Sequence, residues 1–254
     1  SNHMPDDARV VLTDVTSAYA VLAIMGPKTR DFLQPLTPDD LSNDAFPFGT
    51  SREIEIGYAC ARASRITYVG ELGWELYIPT EYAVGIHEFL LDNVTEGTLK
   101  HVGMHAVNSL RMEKAYRHWS HDITDEDTPL EAGLDFVVKF DKAGGFIGRD
   151  ALLQQQEAGV ARRLLQFKLE DPEPLLYHNE PIWRDGEICG HITSGAYGHS
   201  LAGCIGLGYV EVEPGAKPEV ALDGTYEIEV ACERVAAQAS IKPLYDPKSQ
   251  SIRR

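Results

Sequence analysis

Apolar and polar residues alternate along Glu53-Ile54-Glu55-Ile56, the two-residue period of a strand with one buried face. Residues 10–12, 18–25, 66–68 and 74–78 read as further strands. Gly26-Pro27 turns the chain and puts proline where a helix carrying Phe32 and Leu33 begins. Thr80 is the expected N-cap of a helix whose Tyr82, Ile86, Phe89 and Leu90 share one face. Another helix is predicted over 103–117, with Ala106, Val107 and Leu110 inward and Arg111 and Lys114 on the polar side. Helices folding back onto strands make an α+β layer.

A helix around 150–158, stopped by Gly159, closes this mixed region. Beyond it the period becomes that of strands. Leu165, Phe167 and Leu169 alternate with polar neighbours, and apolar runs flank Asp185-Gly186 and Asp223-Gly224. Aspartate-glycine between such runs predicts hairpins, because both turn positions need positive φ. The expected C-terminal half is therefore an antiparallel β-barrel or sandwich. The predicted organisation is a disordered start at 1–7, a mixed domain at 8–158 and a β domain at 159–254. Ser1-Asn2-His3-Met4 looks like a cloning remnant.

A chain of 254 residues, 43% of them hydrophobic, can bury a genuine core. Its formal charge of −16 argues against nucleic acid and anionic membrane surfaces as partners. No apolar run approaches the roughly 20 residues that cross a bilayer, and the expected location is cytoplasmic. The four cysteines form no Cys-x-x-Cys pair, so they read as small buried hydrophobes rather than zinc ligands or disulfides.

The chemistry concentrates in Tyr68-Val69-Gly70-Glu71-Leu72-Gly73-Trp74-Glu75-Leu76-Tyr77. Strand alternation after the glycines puts Trp74, Leu76 and Ile78 on one face and Glu75 with Tyr77 on the other. If the segment is a hairpin, Tyr68 lies near Glu75, and an acid between two rings suits a flat heterocycle. A pterin presents an amine and a ring N–H along one edge, which the two oxygens of a carboxylate can accept. An ordinary amphipathic hairpin with Glu75 in water shows the same pattern, and pattern alone leaves both readings standing.

The Tyr68-x-Gly-Glu-x-Gly-x-Glu75 segment resembles the folate-binding hairpin of the glycine-cleavage T-protein (aminomethyltransferase) superfamily. Ser109-Leu110-Arg111-Met112-Glu113-Lys114, Thr128-Pro129-Leu130-Glu131-Ala132-Gly133-Leu134 and Phe146-Ile147-Gly148-Arg149 extend the likeness in order. Arg117-His118-Trp119-x-x-Asp122 and the ending Pro243-Leu244-Tyr245-Asp246 are most similar to the folate modules of dimethylglycine and sarcosine dehydrogenases. The resemblance implies an α+β, ferredoxin-like sheet with helices followed by a C-terminal barrel. It implies tetrahydrofolate as cofactor, contacted by Tyr68, Glu75, Leu76, Tyr77 and, with a ring but no hydroxyl, Phe136. It also implies an amine-derived one-carbon donor, 5,10-methylenetetrahydrofolate as product, and an FAD-dependent oxidoreductase domain, covalently linked or separate. No flavin is expected on this chain, since Gly144-Gly145-Phe146-Ile147-Gly148 lacks the dinucleotide-binding spacing.

The resemblance starts partway through the folate domain, so the superfamily's catalytic aspartate falls upstream of 10–12 and the catalytic residue here is unknown. Asp14 does not sit in the matching motif. An arginine that helps bind folate in the T-protein is matched here by Val107. A non-catalytic folate-binding or assembly protein, or a fragment inactive alone, is the alternative. His118 and His121 with Asp122 are a weak metal candidate; His118 and Trp119 suit a folate tail or a helix end equally. Arg111, Arg117 and Lys139 are candidates for the tail's carboxylates.

Overall fold

The computed structural model describes residues 7–95 and 99–254; the tag-like start at 1–4 lies outside them. The chain packs into two compact units. Of the described residues, the first holds those up to Thr67, those between Glu71 and His101, and Ser251–Arg254, and the second holds Tyr68–Gly70 and Val102–Gln250.

In the first unit β1 (Tyr19–Met25), β2 (Ser51–Ile56), β3 (Ala59–Ser64) and β4 (Gly73–Pro79) form an antiparallel sheet of order β1-β4-β3-β2. The alternation read for β2 and β4 holds. Trp74, Leu76 and Ile78 are fully buried, together with Ile54, Ile56, Ala61 and Ala63. Helix α1 (Thr29–Leu33) adds Leu33 to this core, and α2 (Ala83–Asp92) adds Ile86 and Leu90.

Three expectations fail here. Residues 10–12 are not a strand: Val11 and Leu12 are more than four-fifths exposed, because no neighbouring strand among the described residues pairs with them. Residues 66–68 are loop, and the strand lies earlier, in the alanine-rich β3, whose short side chains carry a weak apolar signal. Thr80 opens a 3-10 turn (Thr80–Tyr82) instead of capping α2, and its hydroxyl donates to the Ser17 carbonyl at 2.8 Å.

The second unit is built on a closed antiparallel barrel of order β10-β5-β8-β7-β6-β9. Its strands are β5 (Arg162–Leu169), β6 (Pro181–Arg184), β7 (Glu187–Gly198), β8 (Gly203–Glu211), β9 (Tyr226–Val230) and β10 (Glu233–Ser240). Closure leaves no edge to satisfy, and Leu165, Phe167, Leu169, Ile182 and Ile228 fill the interior. Asp185 and Gly186 both adopt positive φ, 54° and 89°, as the predicted hairpin requires. The Asp223-Gly224 hairpin does not form. The run before it is a 3-10 helix (Pro218–Leu222), and the β9–β10 turn uses Ala231 and Cys232 at φ 52° and 69°.

Helices α3 (Met104–Glu113) and α4 (Arg149–Ala158) also belong to this unit, with α4 ending at Gly159 as read. Helix α3 is shorter than predicted and its burial is inverted. Ala106 is exposed while Ser109, Arg111, Met112 and Glu113 are buried, with Lys114 just beyond. Each buried polar group has a partner: Ser109 Oγ donates to Tyr197 O, Glu113 accepts from Ser200 and Leu201, and Lys114 Nζ donates to Asp246 O. Cys189 and Cys204 are buried, but Cys60 and Cys232 are exposed, which corrects the expectation for that pair.

Candidate functional site

On β4, Glu75 lies opposite Ala23 of β1 and Ser64 of β3, and Tyr77 lies opposite Val21 and Arg62. Both side chains are half-buried on the face away from the core. The Tyr77 hydroxyl donates to Glu75 Oε2 at 2.9 Å. That bond pushes the phenol's pKa up, reinforced by burial, so Tyr77 keeps its proton and fixes the carboxylate's orientation. A carboxylate offers roughly four acceptor sites and this bond uses one. Leu76 points into the core, leaving its backbone, not its side chain, on the outer face.

In the second unit a cleft of ≈ 610 Å³ lies between α3, the turn after it, the loop before β6 and strand β7. Tyr68 forms one wall. Its ring stacks on Tyr116, with centroids 6.3 Å apart and planes 15° apart, and its hydroxyl donates to Arg117 O at 3.2 Å. Burial pushes its pKa up, partly offset by the Arg111 charge. The opposite wall depends on Gly195, where any Cβ would meet Leu176 O at 2.2 Å. Only glycine lets the loop before β6 lie so close to β7.

Behind the cleft sits a buried ionic cluster. Arg111 Nη1 donates to Asp122 Oδ2 at 2.5 Å and to Tyr116 O at 3.0 Å, and its Nε donates to Asn108 Oδ1 at 2.8 Å. Asp122 also accepts from His118 N at 2.8 Å and from Thr193 Oγ1 at 2.5 Å. Thr193 stands at a register shift in β7, and such a bulge re-aims a side chain. A fully buried carboxylate with three donors ties helix, turn and barrel into one rigid wall.

The structure brings Tyr68, Arg111 and His118 to this cleft. Phe136 lies on an exposed 3-10 turn (Asp135–Val137) outside the lining, its ring 70% exposed. Arg117 turns inward: Nε and Nη2 donate to Ala132 O and Nη1 to Ala115 O. Burial pushes its pKa down. Lys139 is exposed and away from the cleft. His118 and His121 are in a turn, with rings edge to face at 4.6 Å, and not on a helix. Sequence reasoning missed Thr193 and the cleft histidines 105, 178 and 199. They are scattered over some ninety positions, and only the barrel's closure gathers them.

One unit thus carries a half-buried acid on an α+β sheet, and the other an aromatic-walled cleft beside a closed barrel. The comparisons place the chain more closely. The profile of the GCVT N-terminal domain matches residues 1–142, and that of the glycine cleavage T-protein C-terminal barrel domain matches 162–246. The chain belongs to the glycine cleavage T-protein family.

It is 38% identical over 240 residues to 4-methylaminobutanoate oxidase (formaldehyde-forming) of Paenarthrobacter nicotinovorans, covering 94% of this chain and 28% of that protein. It is 38% identical over 246 residues to the mitochondrial sarcosine dehydrogenase of Homo sapiens, covering 95% and 26%. The solved glycine cleavage system aminomethyltransferase T from Bartonella henselae superposes with a TM-score of 0.75 at 25% identity, covering 90% of this chain and 60% of that one. The chain thus spans little more than a quarter of the length of the two oxidoreductases.

Proposed function

We propose that this chain is a tetrahydrofolate-binding module for one-carbon transfer, contacting the folate through Tyr68, Glu75, the Leu76 backbone and Tyr77, with Phe136 as a peripheral ring. The observation that carries the reading is the Glu75–Tyr77 pair: an oriented carboxylate with accepting capacity to spare, half-buried on a strand whose other face is locked into the core. A carboxylate acceptor so oriented fits the N–H edge of a pterin. Tetrahydrofolate supplies the nitrogens that take up a one-carbon unit. The protein holds the ring flat, keeps the Tyr77 phenol protonated as a neutral donor, and shields the reacting carbon from water.

The one-carbon unit comes, in this proposal, from an N-methyl amine oxidised by an FAD-dependent partner, linked or separate, and leaves as 5,10-methylenetetrahydrofolate. The Paenarthrobacter relative, a formaldehyde-forming 4-methylaminobutanoate oxidase, supports that source. A holding module without a transfer step is the second reading, favoured by the lack of any aspartate or glutamate among the described residues of the cleft lining.

Titration of 5-formyltetrahydrofolate by calorimetry tests the proposal. Glu75→Ala is expected to weaken binding by about 1.5–3 kcal/mol, the value of a charge-assisted hydrogen bond, with little loss of thermal stability. Equal affinity of variant and parent removes Glu75 from the site. Formaldehyde-dependent formation of methylenetetrahydrofolate above the uncatalysed rate separates the transfer reading from the holding one.

A further inference from the structure

Three arginines of the first unit gather around one aromatic pair. Arg30 comes from α1, Arg52 from β2 and Arg65 from just past β3; the rings they surround, Phe46 and Trp74, lie edge to face with centroids 6.0 Å apart. The guanidinium carbons of Arg30 and Arg65 stand 5.8 and 5.6 Å from the Trp74 ring centre, and that of Arg52 stands 4.4 Å from the Phe46 ring centre. Arg65 is 1% exposed, and Phe46 and Trp74 are as deeply buried. Arg30 and Arg52 are half-buried and reach solvent.

No aspartate or glutamate among the described residues forms an ion pair with any of the three. The acids beside them are turned elsewhere: Asp39 Oδ2 accepts from Glu55 N, and Asp40 Oδ1 from Ser42 N. The guanidinium forks meet neutral acceptors of one loop instead. Arg30 donates to Leu41 O and Asn43 Oδ1, Arg52 to Ala45 O and Asp40 O, and Arg65 Nη1 to Phe46 O. Arg65 Nη2 donates to an oxygen of Arg254, the last residue here, which even counted as a carboxylate answers one charge of three.

Three buried N–H groups of this cluster have no hydrogen-bond partner among the described residues: Nε of Arg52, Nε of Arg65 and Nε1 of Trp74. All are donors only. An unpaired buried donor and a buried charge without a counter-ion are both costly, and one anion relieves both. Burial pushes the Arg65 pKa down, and the neighbouring Arg30 charge pushes it further.

We propose that the arginine cluster around Phe46 and Trp74 is a binding site for a small monovalent anion of the halide class. A monovalent sphere accepts N–H bonds from any side and gives up less hydration than a multiply charged oxyanion, which suits a site this buried. The anion fastens the loop that carries the core residues Leu41 and Phe46 against β4, the strand whose outer face bears Glu75 and Tyr77. The site does not depend on the folate reading.

The test uses the whole chain in sodium gluconate, with chloride exchanged in at constant ionic strength. The melting temperature is expected to rise with chloride and to saturate, as linkage to a bound ligand requires, and phosphate at matched ionic strength is expected to leave it unchanged. In a Trp119→Phe, Trp183→Phe background Trp74 is the remaining tryptophan. Iodide is expected to quench its emission saturably, with chloride reversing the quench. Arg30→Gln is expected to weaken iodide binding about 10-fold or more, the loss of one charge-assisted donor. Should that variant fail to fold, Arg52→Gln is read the same way.

Melting temperatures that ignore chloride, or a quench that grows linearly without saturating, overturn the site. So does unchanged iodide affinity in the folded arginine variant. An equal, saturating rise with phosphate overturns the halide class.

Discussion

On β4 the positions that vanish from solvent are Trp74, Leu76 and Ile78, whereas on α3 they are Ser109, Arg111, Met112 and Glu113. The strand buries what water rejects, and any apolar neighbour of the right volume serves it. The helix buries charge, which is tolerated only where a specific opposite group waits. One interface is thus generic and the other is addressed, residue by residue, to Asp122, Thr193, Ser200 and Asp246. The addressed interface is also the one that forms the cleft wall.

Substitutions can break this contrast. The largest effect is expected from Arg111→Met, which strands the buried Asp122 charge and should cost about 3–5 kcal/mol in urea unfolding. Combining it with Asp122→Leu should recover most of that loss; a double variant as unstable as the single one would mean the pair is not what holds α3 in place. Leu76→Ala in the sheet should cost about 2–5 kcal/mol, and no second substitution elsewhere in a polar network should rescue it.

The smallest effect concerns Tyr209, whose hydroxyl is buried without a hydrogen-bond partner among the described residues while Arg162 lies over its ring at 4.8 Å. Tyr209→Phe keeps the ring contact and removes the orphaned group, so stability should rise by about 1 kcal/mol. Burial pushes this phenol well above its ordinary pKa. A group with a raised folded-state pKa contributes stability that is complete below the unfolded value, about 10 for tyrosine, and lost as pH rises beyond it. Melting temperatures should therefore fall above about pH 10 in the parent and fall less in Tyr209→Phe. Identical alkaline profiles would place the loss on other tyrosines.

Much of the architecture was legible. The strands β2 and β4, the helix stop at Gly159, the Asp185-Gly186 turn and the strand-rich C-terminal half all follow from period and turn chemistry, which are local. The misreadings share one cause. Residues 10–12 look like a strand but lack a described partner, β3 was hidden by its alanines, and the Asp223-Gly224 turn failed because Val220 and Leu222 lie in a 3-10 helix. Pairing is a tertiary event that local pattern does not report. For the candidate site, Tyr68, Glu75 and Tyr77 were visible as chemistry at fixed spacing. Strand alternation alone puts Glu75 and Tyr77 on one face, but neither their hydrogen bond nor the stacking of Tyr68 on Tyr116 follows from it.

By itself the sequence determined the class of fold, the family, and which face of β4 carries the acid, because each depends on neighbours within a few residues or on motifs in order. Only the tertiary structure decided that a polar helix face would be buried, and that five distant histidines would share a cleft lined by no carboxylate among the described residues. Such groupings depend on which elements meet, and the free energy of a buried charge or an orphaned imidazole is set by what stands opposite it in space, not by its neighbours along the chain.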